Sequence, residues 1–161
     1  LLALGCRRIA FLGHASDHYP EFFERWRGYA DALAAAGLAP DPALQVDAIT
    51  TEQAGQQAMA QLLATGVTLD AVFAASDLIA LGAMKALRAH GLKVPEQVAV
   101  AGFDDIAMAS FAQPGLSTVQ QDTKLAGEVL VDSLIRLIQG ETVESRTLPV
   151  KLVLRGSTHA G

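Results

Sequence analysis

Short, strongly apolar β-rich runs alternate along this chain with longer stretches whose apolar residues recur at helical spacing. That alternation is the pattern of successive strand–helix units, and it confines the chain to an α/β fold with a parallel sheet flanked by helices. The first run, Arg8 to Leu12, ends at Gly13. A loop from His14 to Pro20 leads into a helix expected over Glu21 to Ala36, with Phe22, Trp26, Tyr29 and Leu33 on one stripe. A second strand is expected over Leu44 to Ile49, and Thr51 is expected to cap a helix that runs to Ala64. Asp70 to Ala75 is apolar almost throughout, as a strand buried on both faces should be.

Ser76 and Asp77 begin the next helix, which stops at Gly91. Asp77 is expected to be its N-cap, which leaves Ser76 to face a ligand. Pro95 forces an extended entry into a strand over Gln97 to Phe103, and Asp104-Asp105 then opens a short helical turn. A further strand covers Leu116 to Gln120, a helix Thr123 to Gln139, and a last strand Leu148 to Leu154. The helix from Thr123 differs from the others. Leu125, Val129, Leu130, Val131, Leu134, Leu137 and Ile138 surround almost its whole circumference. A helix of that kind needs cover on several sides. The pattern predicts that it folds onto the sheet, exchanges into a second copy, or is disordered.

In an open parallel sheet, ligands settle beyond the carboxyl ends of the strands. The residues there are His14 to Asp17, Thr50, Ser76-Asp77, Asp104-Asp105 and Gln121, a set rich in hydroxyl, amide and carboxylate groups. Such groups can exchange hydrogen bonds with a polyol. Asp104 either takes two strong hydrogen bonds from neighbouring sugar hydroxyls or caps the following turn. Asp105 is assigned to capping. Arg25 flanks the apolar stripe of its helix, where a guanidinium could reach over the strand ends or simply be solvated. Trp26 lies on the stripe and is expected in the core.

Several function classes lose support. The net charge is −5, with Lys and Arg scattered, so this segment lacks the basic surface that phosphate binding needs. Neither a Walker loop, a G-x-G-x-x-G turn nor a G-x-S-x-G elbow occurs, so the chain is not expected to be an enzyme. His14 and His18 lie in a loop beside Pro20 with no converging third ligand, and no metal or cofactor is expected. His90 and His159 read as surface residues. A single cysteine, Cys6, suits a reducing compartment, and no apolar run has the length of a membrane span. The chain opens at Leu1 without Met, within what reads as a helix end, and is expected to be part of a longer protein.

The run AASDLIALGAMKALRAHGLKVPEQVAVAGFDDI, Ala74 to Ile106, resembles the lactose-repressor/galactose-repressor family of transcription regulators. RRIAFLG, RWRGYADAL, PGLSTVQQD and LPVKLVLRGST follow the family's order over essentially the whole chain. The resemblance implies roughly the last half of a two-lobed core like a periplasmic binding protein. Residues 1–115 would form the C-terminal lobe, 116–140 a crossover strand and helix of the N-terminal lobe, and 141–161 the return strand. It also implies a helix-turn-helix domain and hinge helix elsewhere, hence operator DNA bound through that domain and not through this chain. The implied protein is a cytoplasmic homodimer responding to a small-molecule effector, a sugar above all.

Residue by residue, the resemblance makes Arg25 the effector-binding arginine and Asp104 the ligand-binding aspartate. Gln121 matches a crossover position lining the cleft, and Leu81 matches a dimer-interface position on an exposed helix face. Ser76 stands where many members carry Asn, and Thr50 where some carry an aromatic ring. The loop before Arg25 is longer than in some members. Two alternatives stay open: a periplasmic sugar-binding protein of a transporter or chemoreceptor, and a phosphoaccepting or catalytic domain using Asp104-Asp105 as an acid pair.

Overall fold

A computed structural model describes residues 1–15 and 19–158. A single six-stranded sheet organises it, in the order β2-β1-β3-β4-β5-β6. The strands are β1 (Ile9–Leu12), β2 (Gln45–Val46), β3 (Ala71–Ala74), β4 (Ala99–Asp104), β5 (Ser117–Gln121) and β6 (Val150–Val153). The first five run parallel, and β6 returns antiparallel to β5. Helices α1 (Pro20–Ala35), α2 (Glu52–Ala64), α3 (Asp77–Ala89), α4 (Ala107–Phe111) and α5 (Thr123–Ile138) connect them. The parallel α/β architecture expected from the alternation is the one observed.

Side-chain alternation along the strands decides which helix covers which face. Phe11 and Phe73 point toward α1, where the Tyr29 ring lies 5.5 Å from that of Phe11. The Tyr29 hydroxyl donates to the Ile9 carbonyl at 2.8 Å. Gly102 and Thr118 point to the opposite face, against Asp77 of α3. Trp26 packs half-buried against the core as its stripe position predicts, and its indole N–H donates to Gln45 Oε1.

Helices α2 and α3 sit together on that second face because two glycines remove the side chains that would part them. A Cβ on Gly55 would lie 2.2 Å from the Ile79 carbonyl oxygen, and one on Gly82 would lie 2.0 Å from that of Glu52. Both obstacles are backbone, so neither can swing aside.

The sequence-derived boundaries need four corrections. The second strand is only Gln45–Val46, because Asp41 accepts from the Ala43 N–H and folds Pro42–Leu44 into a 3₁₀ turn instead. The last strand is Val150–Val153, shorter than Leu148 to Leu154. Ser76, not Asp77, is the N-cap of α3, its Oγ accepting from Ile79 N–H at 3.4 Å. Asp105 caps nothing: α4 has no side-chain cap and begins after Ile106.

Helix α5 has no buried residue. Leu130, Val131, Leu134, Ile135, Leu137 and Ile138 are all exposed, Ile138 by 77 %. Folding onto the sheet, one of the three outcomes its pattern predicted, is not what is seen. The helix is formed and stands away from the core.

Candidate functional site

The strand β4 ends in a backbone that ordinary residues avoid. Asp104 has φ 115° and Asp105 has φ 54°. Two consecutive non-glycine residues at positive φ cost on the order of 1–3 kcal/mol each and persist only where the surroundings hold them. Here the surroundings hold each carboxylate separately.

Asp105 is fixed within the fold. Its Oδ1 accepts from the Arg155 guanidinium at 2.6 Å and its Oδ2 from Gln120 Nε2 at 2.7 Å. Arg155 also donates to the Leu116 carbonyl at 2.8 Å, so it ties the segment after β6 to the residue that follows β4 and to the one that precedes β5. With both oxygens of Asp105 engaged, the acid pair considered from sequence is split into one structural carboxylate and one other. Arg155 entered the sequence reading only inside the closing run. The available signal was a guanidinium just past the last strand, opposite two carboxylates.

Asp77 is the second structural carboxylate. It is fully buried, accepting from the Thr118 hydroxyl at 2.5 Å and from the Ile106 N–H at 2.9 Å. It thus pins α3 to β5 and to the segment that follows Asp104. Burial pushes its carboxyl above the usual range, the two hydrogen bonds oppose this, and Asp104 and Asp105 nearby add to the rise.

Asp104 faces outward from this frame. Its Oδ1 accepts from Arg25 Nη2 at 3.2 Å and from Gln121 Nε2 at 2.9 Å. Among the described residues, none bonds its Oδ2. Arg25 is set by three contacts. Its Nη1 donates to the Ala75 carbonyl at 2.5 Å, its Nη2 holds Asp104, and its guanidinium carbon lies 4.0 Å over the Phe103 ring. Partial burial raises the Asp104 carboxyl above its ordinary value, while Arg25 and the Gln121 amide oppose that shift.

Of the five residues singled out as ligand contacts, the structure brings Arg25, Asp104 and Gln121 into one cluster at the carboxyl ends of β3, β4 and β5. Ser76 adjoins it but is 1 % exposed, with its hydroxyl turned to the helix it caps. Thr50 is exposed at the turn between β2 and α2. Leu81 is half-buried against the core, less exposed than its helix face suggested. His14 follows β1, lies 3.6 Å from Asp47 Oδ1, and stacks on Tyr19 with ring centroids 4.8 Å apart. His90 turns back to the Ala86 carbonyl of its own helix. Asp17, His18 and His159 lie outside the described residues.

A hollow of about 590 Å³ borders this cluster at Arg25, Phe103 and Gln121, but it extends along the α1 face of the sheet to Leu1, Leu2 and Leu152. Its walls are mostly apolar, which suits a packed element and not a polyol. Arg25 and Gln121 line it, and Asp104 does not. Among the described residues, no group of three or more His, Cys, Asp and Glu gathers as a metal would require, and no helix is long and apolar enough to cross a membrane.

A family profile described as periplasmic binding protein-like domain matches residues 1–158. The HTH-type transcriptional regulator CelR of Thermobifida fusca is 44 % identical over 154 residues, which cover 96 % of this chain and 44 % of that protein. A solved complex of the transcriptional regulator CelR with cellobiose superposes with TM-score 0.90 at 42 % identity, over 98 % of this chain and 48 % of the other. The lac repressor dimer bound to operator and the anti-inducer ONPF gives TM-score 0.92 at 34 % identity, over 99 % and 48 %. The chain thus spans about half the length of the relatives it matches.

Proposed function

We propose, from the premise that this chain belongs to the periplasmic binding protein-like family and to its LacI-type regulators, that it is the effector-sensing portion of a sugar-responsive transcription regulator. The observation that carries the reading is the cluster of Arg25, Asp104 and Gln121, with one oxygen of the carboxylate uncommitted among the described residues. A carboxylate flanked by a guanidinium and an amide offers acceptor and donors side by side, the arrangement that adjacent sugar hydroxyls satisfy. A relative in complex with cellobiose supports a sugar as the ligand class.

In this reading, residues 1–115 form one lobe, 116–140 extend into a second lobe, and 141–161 return. The exposed apolar circumference of α5 and the open hollow beside α1 support it, since both are surfaces that packing elsewhere would cover. A ligand clasped between two lobes stabilises one relative arrangement of them over another, by no more than its differential affinity for the two. In a homodimer with Leu81 at the interface, that preference reaches operator DNA through a separate domain, in the cytoplasm. The curated relatives are HTH-type regulators, which favours this over a transporter's binding protein. Titration calorimetry of the full-length protein with cellobiose and glucose tests the reading. Stoichiometric binding is expected, weakened by about 2–3 kcal/mol in Asp104→Ala, and the isolated 161 residues should bind weakly. Unchanged binding in Asp104→Ala would overturn it.

A further inference from the structure

Sugars are held by aromatic rings as well as by polar groups, because the C–H face of a pyranose is apolar and its hydrogens are drawn to the electron-rich face of a ring. Among the described residues, the rings beside the polar cluster have little free face. Phe103, its nearest ring, is covered by the Arg25 guanidinium at 4.0 Å, and Phe22 is only 7 % exposed. Phe111 is 83 % exposed, but it ends α4 on the connection that leads to the start of β5, away from the carboxyl ends of the strands.

Tyr19 is different. It is 48 % exposed, and His14 stacks on one side of its ring at 4.8 Å with an interplanar angle of 16°. The backbone that carries the ring is also fixed. Tyr19 is the N-cap of α1, its carbonyl accepts from the Phe22 and Phe23 N–H groups, and Pro20 follows it. His14 Nδ1 lies 3.6 Å from Asp47 Oδ1. A run of close rings then connects it to the polar cluster: His14 lies 6.2 Å from Phe22, and Phe22 lies 5.6 Å from the Arg25 guanidinium. A half-exposed ring therefore stands past the carboxyl end of β1, linked to the polar cluster through His14 and Phe22.

We propose that Tyr19, backed by His14, is the stacking platform for the second ring of an oligosaccharide effector whose first ring is held by Arg25, Asp104 and Gln121. This rests on the sugar-effector reading above and narrows it to ligands of two or more rings. The platform needs the face of the ring and not its hydroxyl.

The test uses calorimetry of the full-length protein with cellobiose and with glucose, on the unaltered protein and on Tyr19→Ala and Tyr19→Phe, with thermal unfolding of each. Tyr19→Ala is expected to weaken cellobiose about tenfold while glucose changes less than about twofold, and Tyr19→Phe to behave as the unaltered protein. Cellobiose binding that survives Tyr19→Ala, or equal losses for both sugars, overturns the platform and leaves the effector reading intact. Failure of the unaltered protein to bind either sugar overturns both.

Discussion

The guanidinium of Arg25 lies 3.2 Å from Oδ1 of Asp104, a contact between residues 79 positions apart that joins α1 to the end of β4. The same guanidinium caps the Ala75 carbonyl and covers Phe103. One planar group thereby fixes the position of the carboxylate relative to two neighbouring strand ends. A lysine has a single charged nitrogen and no flat face, so it cannot meet all three partners.

Removing the carboxylate should therefore cost binding far more than folding. Asp104→Gly relieves the strain at φ 115° and leaves Arg25 Nη2 without its carboxylate acceptor, while Nη1 keeps the Ala75 carbonyl. We expect thermal stability within about 1 kcal/mol of the unaltered protein, and sugar affinity lower by about 2–3 kcal/mol. Paired calorimetry and thermal unfolding separate the two quantities, and a variant that unfolds early but binds normally would contradict this.

Affinity should also follow the ionisation of Asp104. Its carboxyl is raised above the ordinary 3.8, chiefly by burial and against the pull of Arg25. Only the ionised form accepts on both oxygens, so binding should strengthen as pH rises through the raised value and fade below it. Calorimetric titrations from pH 4 to 7 on the unaltered protein and Asp104→Asn should show the dependence in the first and not the second.

Asp77 makes an independent prediction about stability. Between 3.8 and its raised value the folded protein holds a proton that the unfolded chain has released. Its contribution is therefore complete below 3.8 and is lost as pH climbs through the raised value. Asp77→Asn removes that loss while its amide still bonds Ile106 N–H and the Thr118 hydroxyl, so its urea midpoint should depend less on pH. Asp77→Ala strands both groups in a buried site and should cost about 2–4 kcal/mol at any pH.

Much of this architecture is written in local pattern, and the parts that are not have a common cause. The strand runs and helix stops were legible because apolar periodicity and cap chemistry act within a few residues. Thr51 does cap α2, as its position before the apolar pattern implied. Asp77 and Asp105 were misassigned because a carboxylate at a strand–helix turn has the same local signature whether it caps or reaches across. Their true partners, Thr118 and Arg155, lie 41 and 50 positions away. Spacing and strand ends admitted Arg25 and Asp104 only beside the alternatives of solvation and capping, and it was the resemblance to the regulator family that singled them out. That Gln121 bonds the same oxygen as Arg25 is a fact of sheet register.

The close seam between α2 and α3 was also hidden, since Gly55 and Gly82 sit within helical patterns where glycine looks like a defect. At an exposed site, Gly to Ala in a helix gains about 1 kcal/mol. At Gly82 the new Cβ would meet the Glu52 carbonyl at 2.0 Å, and separating the helices should cost about 1–3 kcal/mol more than that gain. Thermal denaturation of Gly82→Ala is expected to show net destabilisation, and a stabilised variant would contradict the seam.

The antiparallel return of β6 gives the molecule a mechanical property. The chain leaves the sheet at Gln121 and comes back at Val150, and those two residues form one rung of the β5–β6 ladder. Everything between them, α5 included, rides on a two-strand stalk. Torque on α5 is delivered to the sheet at that rung, where the Gln121 amide grips Asp104 at 2.9 Å. Any lever built on this stalk has its fulcrum one hydrogen bond from the carboxylate.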